Sequence, residues 1–120
     1  MTNLRQRLGK LGEDIAAQEL LRRGYRVIKR NYRSRLGEID IIAEQQETLV
    51  FVEVKAKTDI SFGLPQENVG RRKQAKIRKV AQCYLAETDQ FHRAISLCVA
   101  AVQLDRDGNI LQMEIIEDAF

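Results

Sequence analysis

The chain has 120 residues, 44% hydrophobic and 31% charged, with a net charge of +3. That composition fits one globular domain and excludes a disordered or fibrous chain. Two cysteines, Cys83 and Cys98, and a single histidine, His92, argue against a disulfide scaffold or a zinc site; two buried free thiols in a reducing compartment are expected instead.

Met1 to Lys10 contains no apolar run of the signal-peptide kind, and no stretch approaches membrane-spanning length, so a cytoplasmic location is expected. Positive charge is unevenly spread. Arg22 to Arg35 holds seven Arg or Lys residues and no acid, and Arg71 to Lys79 holds six more. Clustered positive charge suits a polyanion such as nucleic acid. The same clusters are also compatible with solvated faces balanced by acids elsewhere in the fold.

The first element is a helix from about Asn3 to Arg23, with Asn3 and Gln6 as a capping pair and Gly24 ending it. Leu4, Leu8, Leu11 and Ile15 form one stripe, while Ala16, Ala17 and Leu20 lie on another side. Gly9 and Gly12 are places where the helix can break or kink. The leucine stripe is a candidate homodimer interface.

Tyr25 to Arg33 reads as a basic strand. Glu38 to Ala43 and Leu49 to Lys57 read as a hairpin, with Val50, Val52 and Val54 facing one way and Phe51, Glu53 and Lys55 the other. A loop from Thr58 to Asn68 contains Pro65. A helix follows over Gly70 to Glu87, with Ile77, Val80, Ala81 and Tyr84 on one face. Ile95 to Leu104 and Ile110 to Ile116 form a last hairpin, turned by Asp105, Asp107, Gly108 and Asn109. The whole chain is read as one domain.

The chemistry concentrates on the first hairpin. A turn centred between Gln46 and Glu47 places Asp40 opposite Glu53 and Glu38 opposite Lys55, all on one face. A slip of one residue would separate them. Carboxylates among Ile39, Ile41, Val52 and Val54 are costly to bury unless paired or bound to a metal. A salt-bridged, solvent-facing hairpin surface is the plainer alternative. Two carboxylates on adjacent strands can hold Mg²⁺ or Mn²⁺, with the Val54 carbonyl as a further ligand. Lys55 would then orient an attacking water or offset charge on a scissile phosphate. Glu13, on the first helix, is either a further metal ligand or a glutamate interacting favourably with the helix dipole.

Gly12-Glu13-Asp14, Gly24-Tyr25, Asn31-Tyr32-Arg33, Gly37-Glu38-Ile39-Asp40 and Phe51-Val52-Glu53-Val54-Lys55 together resemble the YraN-like family. So do Phe62-Gly63, Pro65, Lys73-Gln74 and Ala119-Phe120. That bacterial family is similar to archaeal Holliday junction resolvases and belongs to the PD-(D/E)xK nuclease superfamily. The resemblance implies an α/β, restriction-endonuclease-like core, a central mixed sheet flanked by helices. It implies a metal-dependent DNA endonuclease, with branched DNA as a candidate substrate; a nucleic-acid-binding protein that kept the fold without catalysis is the alternative. Asp40 and Glu53 match the metal-binding acids, Lys55 the catalytic lysine and Glu13 the glutamate of resolvase-like members. Resolvase-like relatives work as dimers. Ser96-Leu97-Cys98 stands where the family commonly has Arg-Phe-Asp, which removes a charged pair near the sheet.

Further candidates ring this constellation. Lys73 and Gln74 could reach a phosphate, or the Lys73 stem could lie along apolar surface with its head in water. Arg71 and Arg72 sit at a helix N-terminus, where positive charge opposes the dipole and invites a phosphate. With Arg33 and Arg35 they make up the expected nucleic-acid contacts. Tyr25 and Tyr32 are expected to pack rather than stack on bases, and His92 to lie on a surface loop.

Overall fold

A computed structural model describes residues 4–58 and 70–120. Asn3 and the residues Phe62, Gly63 and Pro65 of the expected central loop lie outside that set. The elements run α1 (Leu4–Arg22), β1 (Arg26–Ser34), β2 (Gly37–Gln45), β3 (Thr48–Lys57), α2 (Arg71–Glu87), β4 (Ala94–Leu104) and β5 (Ile110–Ile116). The fold is α/β. Five strands form one sheet in chain order, antiparallel except for the parallel β3–β4 pair. The mixed sheet is flanked by two helices, α1 and α2, on opposite faces.

The layering follows from β3. A parallel pair needs a long crossover, which α2 supplies, and such strands are buried on both faces. Leu49 to Glu53 are accordingly all buried. Phe51 joins Ile77, Val80, Ala81 and Tyr84 of α2 in one core. Val50 and Val52 join Ala16, Ala17 and Leu20 of α1 in the other. The outer strands β1 and β5 are largely exposed.

α1 runs unbroken through both glycines, so neither Gly9 nor Gly12 breaks it. Gly12 instead allows close packing: a Cβ there would lie 2.5 Å from the Ala56 Cβ on β3. The helix ends as expected. Gly24 adopts a φ of 92°, and the Gly24 and Tyr25 amides return to the Leu21 and Leu20 carbonyls, which is the Schellman arrangement. Leu8, Leu11 and Ile15 are half-buried.

One irregularity is absent from the sequence pattern. Arg30 reaches toward α1, to Glu13 and Asp14, yet Tyr32, two residues on, packs edge-on against Tyr84 of α2. Ile39 likewise belongs to the α2-side core and Ile41 to the α1-side core. Residues two apart on a regular strand share a face, so both strands reverse their faces here. The reversal falls between the Arg30↔Ile41 and Tyr32↔Ile39 pairs, that is, at Asn31 and Asp40. Asn31 has a φ of 55°, a left-handed conformation that asparagine tolerates better than most residues.

Other expectations resolve simply. Both cysteines are free, Cys98 buried and Cys83 only half-buried. Tyr25 and Tyr32 are buried, and His92 is exposed in a turn. No helix among the described residues is long and apolar enough to cross a membrane.

Candidate metal centre

The expected hairpin register holds through Ile41↔Val52, and there the backbone ladder stops. The next residue toward the chain's start, Asp40, meets β3 with its side chain: its Oδ2 accepts the Val54 amide N–H at 2.8 Å. The strands part at the point where the faces reverse. Asp40 and Glu53 therefore flank a gap between β2 and β3 rather than a continuous ladder. The pairing of Glu38 with Lys55 does not form, because the β2–β3 ladder ends before it; Glu38 bridges to Arg33 at 3.3 Å on the neighbouring strand.

Asp40, Glu53 and Glu38 line one cleft of about 240 Å³ with Gly37, Lys73, Lys76 and Ile77. Glu53 is the one charged side chain buried among the described residues, at 8% exposure. Burial, then the adjacent Glu53 carboxylate, pushes Asp40 up to about 7, against the opposing bond from Val54. Two carboxylates crowded in a largely buried site resist simultaneous ionisation.

Two lysines answer that crowding. Lys73 Nζ of α2 lies 2.6 Å from Glu53 Oε1, and Lys55 Nζ lies 3.9 Å from the same oxygen. Burial, then the neighbouring Lys73 charge, holds Lys55 below its ordinary value. Burial opposes the Lys73 charge as well, but the contacts with Glu53 and Lys55 and the Glu53 and Asp40 charges together outweigh it and raise Lys73. The sequence admits Lys73 either as a phosphate contact or as a solvated head; its bond to a carboxylate follows from neither.

Glu13 is drawn elsewhere. Arg30 Nη2 binds Glu13 Oε1 at 3.1 Å and Asp14 Oδ1 at 2.6 Å. The Glu13 charge still contributes to raising Asp40, so it lies within electrostatic reach of the gap. Val54 presents its amide N–H to Asp40, whereas the sequence suggests a carbonyl role for it. Among the described residues no three acidic, thiol or imidazole groups converge as a ready-made metal cage. The donor set does fit Mg²⁺ or Mn²⁺, which commonly take one or two carboxylates and complete their shell with water. A cation between the two acids would relieve the part of the Asp40 shift that comes from Glu53.

The two basic segments part company in the fold. In the first, Arg22 and Arg23 pair with Glu19, Arg26 with Glu44, Arg30 with Glu13 and Asp14, and Arg33 with Glu38. Arg35 is exposed. In the second, Arg71, Arg72, Lys76 and Lys79 are exposed; among the described residues, Lys73 makes the one ion pair of α2. Gln74 is half-buried. Ser96, in the departure from the family pattern, hydrogen-bonds Asp118 at 2.8 Å, away from the cleft.

The profile of the Uncharacterised protein family UPF0102 matches residues 12–105. The chain belongs to this family. A UPF0102 protein of Moorella thermoacetica is 44% identical over 120 residues, covering 100% of both chains. One from Caldicellulosiruptor bescii is 41% identical over 119 residues, covering 98% of this chain and 99% of its own. One from Syntrophus aciditrophicus is 46% identical, covering 95% and 88%. The YraN-like resemblance and the UPF0102 family are the same assignment. Among solved structures, Pyrococcus furiosus SfsA in complex with Ca²⁺ is similar at 16% identity and a TM-score of 0.37; the alignment covers 87% of this chain and 60% of that one.

Proposed function

We propose that this UPF0102 protein is a divalent-metal-dependent endonuclease that hydrolyses phosphodiester bonds in DNA, with branched DNA as a candidate substrate. The observation that carries the reading is the split between β2 and β3, where Asp40 and the buried Glu53 face each other beside two lysines. The order of those residues along the chain also matches the nuclease superfamily pattern that the sequence resembles.

Asp40 and Glu53 would hold Mg²⁺ or Mn²⁺, with Glu13 within electrostatic reach as a further acid. The bound ion would lower the pKa of a coordinated water and offset charge on the phosphate. Lys55, beside Glu53 and depressed by burial, would orient the attacking water or neutralise the developing charge at phosphorus. The cleft of about 240 Å³ is walled by charged side chains, Asp40, Glu53, Lys73 and Lys76 among them. That lining suits an enzyme that acts on the charged backbone and grips flanking phosphates outside the cleft. Arg71, Arg72 and Lys76 on α2, with Gln74 and with Arg33 and Arg35 at the β1–β2 turn, are the proposed grip.

The test is cleavage of plasmid and four-way-junction DNA in Mg²⁺ or Mn²⁺ by wild type, Glu53→Ala and Lys55→Ala. Each substitution is expected to lower the rate by about 10²-fold or more, and chelation to abolish it. Activity that survives both substitutions sinks the assignment. A second reading, a nucleic-acid-binding protein without catalysis, is favoured by the Lys73–Glu53 contact, which supplies that carboxylate with a cation from the chain itself. Salt-sensitive DNA binding with no cleavage would support it.

A further inference from the structure

The Lys73 ammonium lies 2.6 Å from Glu53 Oε1, while the Lys73 side chain remains 45% exposed. A half-exposed lysine on a helix has rotamers available that carry its head several ångströms into solvent without moving the backbone. Glu53 by contrast is rooted in the central strand and buried. The carboxylate is fixed and the cation is movable.

Lys55 already stands near the same carboxylate, at 3.9 Å from the same oxygen, and the two ammonium groups repel one another. Two of the neighbours of Lys73 on α2, Arg71 and Arg72, are exposed and make no ion pair among the described residues. Lys73 is thus the member of an otherwise open basic face that is turned in toward an acid.

Resting on the metal-centre reading above, we infer that Lys73 is a displaceable internal counter-cation, exchanging between Glu53 and the nucleic-acid phosphate. Without a divalent ion it neutralises Glu53 and is withheld from substrate. When an ion takes Glu53, the ammonium is repelled and joins the basic face of α2. The exchange couples the two ligands: the ion raises affinity for phosphate and phosphate raises affinity for the ion, by the same factor.

Calorimetric titration of Mn²⁺ into wild type, Lys73→Met and Lys79→Met tests the exchange. Lys79 is exposed on the same helix, outside the residues that line the cleft, so it controls for general loss of positive charge. Lys73→Met is expected to bind Mn²⁺ about fivefold tighter than wild type, the size of a partly exposed ion pair. Lys79→Met is expected to change affinity less than twofold. DNA binding, followed by fluorescence anisotropy with and without Ca²⁺, is expected to gain less from the ion in Lys73→Met than in wild type. Equal Mn²⁺ affinity in wild type and Lys73→Met, or equal tightening in both variants, overturns the exchange and leaves the metal centre standing. Mn²⁺ binding by none of the three proteins overturns both.

Discussion

At Asp40, burial and the Glu53 carboxylate push the side chain from an ordinary 3.8 to about 7. The folded state therefore holds this proton more tightly than the unfolded chain does. The stability it contributes is fully present below about pH 4 and is lost as pH rises through about 7. Asp40→Asn keeps an oxygen to accept the Val54 N–H but cannot ionise. In chelator, the variant is expected to match wild type near pH 4 and to exceed it at pH 8, by on the order of 1–3 kcal/mol. Urea denaturation across that range measures it, and parallel pH profiles for the two proteins would contradict it. The two acids and Lys55 could be read from the sequence, because alternation on β3 fixes which side chains share a face. The Asp40 bond to the Val54 amide could not, because it depends on two strands separating.

Two elements owe their placement to single residues. Gly12 lets α1 settle against β3 at Ala56, and Glu13 follows directly after it. The Ala56 Cβ is fixed to backbone and cannot yield, so Gly12→Ala must push the helix outward. It is expected to lower stability by about 1–3 kcal/mol, the range for overpacking, although alanine is the better helix former. Thermal denaturation decides the sign. Asn31 sets the face reversal of β1 with its φ of 55°. Asn31→Gly is expected to be close to neutral, whereas Asn31→Val should cost about 1–2 kcal/mol or more. If the two variants unfold at the same urea concentration, the left-handed conformation does not matter to the fold. From sequence alone the glycines look like places for α1 to break. The use of Gly12 for close packing depends on what lies opposite, whereas Gly9 meets nothing.

For the whole molecule, the distribution of free charge matters more than its sum. The basic run from Arg22 to Arg33 is largely consumed by Glu19, Glu44, Glu13, Asp14 and Glu38. The N-terminal half of α2 carries its positive charge outward beside the cleft, against the helix dipole and with no acid in the first turn. Arg71→Glu with Arg72→Glu is expected to weaken DNA binding across unrelated sequences and to flatten its dependence on salt, by a slope of about one unit for each phosphate that is no longer neutralised. Arg22→Glu with Arg26→Glu is expected to have the smaller effect. Filter binding over a salt series compares them, and a larger effect from the second pair would move the interface to β1.

Local sequence is enough for the α/β element order, the helix end at Gly24, the hairpin register as far as Ile41 and Val52, and the shared face of Glu53 and Lys55. These follow from local periodicity, turn chemistry and the two-residue repeat of a strand. The assembled fold is needed to see that β2 and β3 part at Asp40, that Arg30 holds Glu13, that Lys73 reaches Glu53, and which basic cluster stays free. Each of those depends on residues distant in the chain meeting across a sheet or between a helix and a strand. No local pattern encodes which distant partner a charge will find.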